Sequence, residues 1–400
     1  MTFIRSAPKK PVKLQLRRDL VRSIKRGHAW VYADALRSKP DAPPGSQAIL
    51  LDNRGGREIA RGIYDPAGAI TLRIASTQRG ETLDNEWAEK RMSYTLAMRK
   101  QLFDEDTSSY RLFNGEGDGL PGLVCDVYGK AAVLKADGPA AQAFWDLTGI
   151  AHWLVEQLEL DLVYERFRDK SGGRGQILIG KVPDEPIPFV EHGLQFTADL
   201  VRGQKTGFFL DQRDNRQRIQ AFSQNKRVLN VFGYTGGFSV YAGVAGASHV
   251  TTVDLAKPAL KAAEKHWHIN KLEPDKHITI AADAFEYLEE AARQNQSWDL
   301  VILDPPSFAP SKDKLPQARK AYQKLIAAGA QVTSPGGILA AASCSSHVDR
   351  DTFLQLCEEG VSKARRKAIT LGIHGQPADH PAPLVMPELH YLKFVLLQLD

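Results

Sequence analysis

The apolar positions of this chain change period along its length. Over the first 76 residues they fall into short alternating runs at 12–16, 48–52, 59–64 and 69–75, the pattern of half-buried strands. Turn clusters part them, at Pro43, Pro44, Gly45 and at Asn53, Arg54, Gly55, Gly56. Over 81–102 the spacing becomes helical, with Trp87, Met92, Leu96, Ala97 and Met98 on the apolar side. The Gly- and Asp-rich stretch 114–129 reads as turns around a strand at 123–127, and a helix over 139–158 with strands at 162–166 and 176–179 completes a β-α-β unit. Pro183, Pro186 and Pro188 mark a boundary. Beyond Phe189, strands at 228–232, 250–254, 278–282, 300–303, 338–342 and 392–399 alternate with helices that include 256–270 and 317–333, as in a parallel sheet covered on both faces. Leu260, Ala263 and Trp267 recur at helical spacing and are assigned to the core, and Ser334, Pro335, Gly336, Gly337 to the helix stop. The division that follows is 1–76, 77–188 and 189–400: a β-rich domain, a small α+β domain and an α/β domain.

Composition narrows the class. No run approaches the roughly 20 apolar residues of a membrane span, and the N-terminus, with Arg5, Lys9, Lys10 and Lys13, lacks the apolar core of a secretory signal, so a cytoplasmic protein without membrane contact is expected. Cys125, Cys344 and Cys357 have neither disulfide nor zinc spacing, so no metal is expected. Residues 1–100 hold 20 Lys and Arg against 10 Asp and Glu, while the other 300 hold 32 against 37. Thirteen of those 20 are arginines, which pair phosphates bidentately and stack on bases. The basic end is therefore read as a nucleic-acid contact, centred on 22–32, where Arg22, Arg26 and His28 interleave with Trp30 and Tyr32. Trp30 doubles as a core anchor of the small β domain.

Candidate chemistry collects where buried strands end, the edge at which open α/β sheets bind ligands. The strand 228–232 runs into Phe232, Gly233, Tyr234, Thr235, Gly236, a turn whose glycines admit close backbone approach but do not match the dinucleotide fingerprint. Asp254 closes the next strand, where a carboxylate binds ribose hydroxyls. Asp283 closes the third, within reach of an adenine amine or as the cap of the following helix. With Asp304 after a fourth strand, this set suits S-adenosylmethionine better than a nicotinamide dinucleotide. Asp304, Pro305, Pro306, Ser307, Phe308 and Ser343, Cys344, Ser345 then place a carboxylate and a thiol at two strand ends. A carboxylate that holds a base and a sulfur that attacks a ring carbon are what methylation of a pyrimidine carbon requires. Cys125 and Cys357 are read as core.

The block from Lys205 to Arg216, with the glycine turn, Asp304 to Phe308 and Ser343 to Ser345, resembles the bacterial large-subunit (23S) ribosomal RNA cytosine-5 methyltransferases. The likeness spans nearly the whole chain: Arg26 to Tyr32 resembles their PUA module, Asp118 to Gly122 their middle domain, and Asp379, His380, Pro381 with Tyr391, Leu392, Lys393 their last strands. It implies a Rossmann-like class I methyltransferase domain preceded by a PUA-like domain and a middle domain. It further implies S-adenosylmethionine as cofactor, contacted by Gln212, Phe232 to Gly236, Asp254, Asp283 and Asp304. Cys344 matches the family's nucleophile, Asp304 would hold N3 of the base, and Lys205 and Phe308 join the RNA contacts. The expected partner is large-subunit ribosomal RNA.

Another family of RNA cytosine-5 enzymes has a second cysteine where this chain has Pro305, which leaves the C5 base open among His380, His347 and water. Three alternatives stand beside this reading: a base N-methyltransferase of the same fold with Phe308 stacked on the base, a non-catalytic RNA-binding assembly factor, and, more distantly, an NAD oxidoreductase. Oligomeric state stays open, a homodimer included.

Overall fold

The computed structural model describes residues 1–5, 10–167, 175–181, 184–203, 205–309 and 311–400; Lys9 and Pro183 lie outside them. The described chain forms two compact units. One comprises Met1–Gly193, Thr197–Leu210 and Ala378–Pro387, and the other Leu194–Phe196, Asp211–Pro377 and Glu388–Asp400.

The first unit holds two five-stranded sheets. Strands β1 (Val12–Gln15), β2 (Trp30–Tyr32), β3 (Gln47–Leu51), β4 (Glu58–Tyr64) and β5 (Ile70–Ser76) are ordered β1-β3-β4-β5-β2. The short helix α1 (Val21–Lys25) precedes β2 and buries Ile24 beside Leu14, Val31, Leu50 and Leu72. Helix α2 (Asn85–Leu102) starts where Asp84 accepts from the Trp87 amide at 3.0 Å. It leads into β6 (Ser109–Asn114), β7 (Leu123–Tyr128), β8 (Ala131–Ala136), β9 (Leu162–Arg166) and β10 (Gly175–Ile179), ordered β10-β9-β8-β7-β6.

The crossover from β8 to parallel β9 is two helices, α3 (Pro139–Phe144) and α4 (Leu147–Leu158), instead of the single expected one. Asp146 breaks the run because its carboxylate caps the second helix through the Gly149 amide at 3.3 Å. The hairpin β11 (Ile187–Glu191) and β12 (Leu194–Ala198) follows. The late segment Ala378–Pro387 is tied to β6: Asp379 accepts from the Arg111 amide at 2.9 Å and the Pro381 carbonyl from the Asn114 side chain at 2.8 Å.

The second unit is a seven-stranded sheet. Its strands are β13 (Arg227–Val231), β14 (His249–Asp254), β15 (His277–Ala281), β16 (Trp298–Leu303), β17 (Thr333–Ser343), β18 (Ala368–His374) and β19 (Lys393–Leu399). The order is β15-β14-β13-β16-β17-β19-β18, with all strands in one direction except β19, which pairs antiparallel with both β17 and β18. Helices α5 (Arg213–Ile219), α6 (Gly237–Val244), α7 (Lys257–Ile269), α8 (Ala284–Arg293), α9 (Leu315–Gln331) and α10 (Arg350–Lys363) provide the crossovers and flanks. Near-continuous burial of β13, β16 and β17 explains their Val-, Ile- and Leu-rich runs. Two expectations are corrected. The sheet is mixed, because the last strand returns antiparallel to β17 and carries an edge partner, β18. Ser334 to Gly337 fall inside β17, since α9 already ends at Gln331.

Candidate active site

Parallel pairing sends the carboxyl ends of β13, β14, β15, β16 and β17 to one edge of the sheet. The strand order turns back between β13 and β16, which makes that edge a topological switch point. All the strand-end candidates lie along it.

The turn after β13 is built from residues that L side chains rarely occupy: Phe232 and Tyr234 have φ of 59° and 48°, and Gly236 has 75°. What holds them is Asp254. Its Oδ2 accepts from the Tyr234 amide at 2.9 Å and its Oδ1 from the Ala256 amide at 2.8 Å. A ring nitrogen of buried His266 lies 2.8 Å from the Thr235 carbonyl. A Cβ on Gly233 would stand 2.4 Å from the Thr252 methyl, so glycine is required there. Thr235 Oγ1 is buried with no hydrogen-bond partner, which at a ligand-facing turn leaves an acceptor and donor for a guest. Backbone cradle, carboxylate and unsatisfied hydroxyl together fit an adenosyl group.

Gln212 is buried, its Oε1 fixed by the Asn215 side chain at 2.7 Å. Asp211 accepts from the Tyr391 hydroxyl at 2.8 Å, and Arg213 and Arg216 are buried, so this part of the sequence block belongs to the interior. Asp283 is exposed and does cap α8, accepting from the Phe285 and Glu286 amides at 2.9 and 3.1 Å.

The register sets Leu303 beside Ala341, so Asp304 and Cys344 follow the ends of adjacent strands. The Ser345 hydroxyl stitches their loops together. It lies 2.9 Å from the Ser307 hydroxyl and 2.9 Å from the Tyr322 hydroxyl of α9, and accepts from the Ala309 amide at 3.4 Å. Ser343 donates to the same Tyr322 oxygen at 2.9 Å. Cys344 is half-buried, whereas Cys125 and Cys357 are buried and burial pushes their thiols up, that of Cys357 to about 12. Phe308 is half-buried with its ring 4.8 Å from that of Tyr322.

Sequence reasoning missed Tyr322 and the place of Lys393 beside the Ser345 turn. Lys393 is buried, and its Nζ donates to the Ser345 carbonyl at 2.7 Å and to the Tyr391 carbonyl at 2.8 Å. The available sign was a lone charge heading the apolar run Phe394 to Leu397.

In the first unit, Arg22 and Arg26 are exposed in and just after α1, and a ring nitrogen of His28 lies 3.1 Å from the Trp30 carbonyl. Trp30 is half-buried and donates to Glu116 at 2.9 Å, so it acts as an anchor. Lys205 is exposed, its Nζ 4.3 Å from the centre of the Phe209 ring. His380 is buried against the Asp379 carboxylate at 3.1 Å.

The sequence profile of the S-adenosylmethionine-dependent methyltransferases matches residues 138–371, more than half the chain. The chain belongs to that family. A PUA-like domain profile matches residues 14–77 of this methyltransferase. A ribosomal RNA large subunit methyltransferase of Deinococcus radiodurans is 38% identical over 408 residues, covering 99% of this chain and 98% of its own. Ribosomal RNA large subunit methyltransferase I of Photobacterium profundum is 35% identical, covering 93% and 95%. Two solved chains assigned as methyltransferases, one from Streptococcus mutans and one complexed with SAH, each superpose with a TM-score of 0.85 at 25% identity, over 97% of this chain and 100% of theirs. The methyltransferase therefore uses S-adenosylmethionine. Among its described residues no helix is long and apolar enough to cross a membrane.

Proposed function

We propose that this methyltransferase methylates C5 of a cytosine in large-subunit ribosomal RNA through a covalent Cys344 adduct. The observation that carries the reading is the Ser345 hub, which joins a half-exposed thiol to the loop of a strand-end carboxylate. The names of the two relatives above supply the substrate class.

S-adenosylmethionine, when bound, presents an electrophilic methyl on a positively charged sulfur. Gln212, Phe232, Gly233, Tyr234, Thr235, Gly236, Asp254, Asp283 and Asp304 are the residues proposed to hold it. Cytosine C5 is a poor nucleophile until a group adds at C6. The Cys344 thiolate forms the S–C6 bond, and the electron pair of the C5=C6 bond moves toward C5 and N3. Asp304, in its protonated form, donates its proton to N3 as the negative charge develops there and takes it back when the C5=C6 bond reforms. C5 then takes the methyl group, loses its proton to a base, and the C5=C6 bond reforms as the S–C6 bond breaks and frees the thiolate. Arg22, Arg26, His28, Lys205 and Phe308 are the proposed RNA contacts, with 1–76 as the docking module, 77–188 as the middle domain and 189–400 as the catalytic domain. Phosphate contacts of this kind orient more than they specify.

RNA carrying 5-fluorocytosine at the target should be trapped on the protein, because fluorine cannot leave as a proton does. Cys344→Ser should abolish trapping and turnover while cofactor affinity survives. A Cys344→Ser protein that methylates RNA at the normal rate would sink the C5 assignment and favour nitrogen methylation, with Phe308 stacking on the base.

A further inference from the structure

Lys393 opens β19 and is only 3% exposed. The antiparallel register sets it opposite Ser343, and its Nζ is held by two carbonyls, those of Ser345 and Tyr391. Neutral carbonyls solvate an ammonium poorly compared with water, so a buried lysine needs a nearby anion to stay charged. Burial pushes its pKa down to about 8, and the two groups that pull it back up are Cys344 and Asp349. Asp349 sits exposed at the start of α10, where its carboxylate accepts from the Thr352 amide at 2.7 Å. Solvent screens its charge. Cys344 is instead half-buried and adjoins in sequence the carbonyl that Lys393 grips.

We propose that Lys393 is the counter-charge that keeps the Cys344 sulfur a thiolate. It is a positioning residue, acting on the sulfur and through the Ser345 carbonyl on the turn that carries it. Its catalytic use rests on the cytosine-5 reading; the thiolate itself does not.

Other groups face this site. From α9 comes the Tyr322 hydroxyl, which burial keeps protonated. Asp349 stands at the head of α10, its pKa lowered first by the Thr352 amide and hydroxyl and then by Lys393 and Arg319; His347 is exposed on the turn before it, and Asp304 follows the neighbouring strand β16. The carboxylates of Asp304 and Asp349 oppose a thiolate, so the ammonium of Lys393 has to outweigh them. Thiolate and ammonium each favour the charged form of the other, which lowers the sulfur's titration and raises that of the amine. Removing the ammonium must therefore move the thiol's titration upward.

The test is alkylation of the full-length protein by iodoacetamide between pH 5 and 10, followed by intact mass. Buried Cys125 and Cys357 react slowly, and Cys344→Ser supplies the background. Lys393→Met keeps the side chain's length without its charge. It should raise the midpoint of Cys344 alkylation by about one pH unit or more, roughly a tenfold slower reaction at pH values well below both midpoints. Lys393→Arg should restore much of the shift. A residue that merely stitched two carbonyls would alter the rate alike at every pH, and an unchanged midpoint in a Lys393→Met protein that binds S-adenosylmethionine normally overturns the proposal. Should that variant fail to fold, the unmodified protein decides: a Cys344 midpoint at or above the ordinary thiol value of about 8.5 rejects it. Alkylation needs no RNA, so loss of 5-fluorocytosine trapping with the midpoint shift intact would count against the cytosine-5 reading alone.

Discussion

Ser345 contributes one oxygen, yet two loops and a helix depend on it. Its hydroxyl meets Ser307, Ala309 and Tyr322, and so joins the turn that carries Cys344 to the loop that follows Asp304. Ser345→Ala should cost about 1–2 kcal/mol of stability through buried hydrogen bonds left unmade. It should lower turnover more than cofactor affinity, which thermal melts, calorimetry and a methylation assay on one preparation would separate.

The two outer carboxylates differ in kind. Asp254 accepts from one amide of the glycine turn, Tyr234, and from the Ala256 amide of its own loop, so Asp254→Ala should weaken both folding and S-adenosylmethionine binding, each by about 1–3 kcal/mol. Unchanged affinity by calorimetry would remove Asp254 from the site. Asp283 is a helix cap, and Asn caps about as well as Asp. Asp283→Asn should therefore keep the melting temperature, and a fall in cofactor affinity would then belong to the lost carboxylate alone.

At the scale of elements, turns matter as much as strands. Gly236 starts α6 at φ 75°, and a Cβ there would stand 2.7 Å from the Ala263 methyl of α7. Gly236→Ala should destabilise the second unit by about 1–3 kcal/mol and weaken cofactor binding, because both the left-handed backbone and the helix contact are compromised. Denaturant melts with and without S-adenosylmethionine would show it as a lower midpoint and a smaller ligand-induced shift. The strand centres of this sheet were legible in the sequence because buried parallel strands read as continuous apolar runs. Strand β18 was not, since it has no continuous apolar run: Ile369, Leu371 and Ile373 alternate with Thr370 and Gly372 and stay exposed at the sheet edge.

For the whole molecule, the units do not follow the chain. Phe3, Ile4, Ile63 and Ala75 share a core with Trp87, Trp145, Leu134 and other residues of the β6–β10 region. Deleting 1–76 would strip apolar side chains from that core, and a fragment 189–400 would carry Thr197–Leu210 and Ala378–Pro387 away from the unit they pack in. Charge reversal at the surface is the cleaner probe of RNA docking. Arg22→Glu with Arg26→Glu should weaken RNA binding and reduce the slope of log affinity against log salt by up to about 2, while cofactor affinity and melting temperature hold. An unaltered salt slope would take these arginines out of the interface.

By itself the sequence determined the fold class, the sheet's main strands, the glycine turn and the strand-end acids and thiol. Each is a local matter: hydrophobic period, turn chemistry, and the residue that follows an apolar run. Only the tertiary structure decided which of them meet. That Ser345 hangs between Ser307 and Tyr322, that Lys393 reaches the Ser345 carbonyl from 48 residues away, and that Ala378–Pro387 leaves the seven-stranded sheet to join the first unit are all consequences of strand order and register. Such contacts pair residues far apart in the chain, and no period or spacing along a single strand encodes its neighbour.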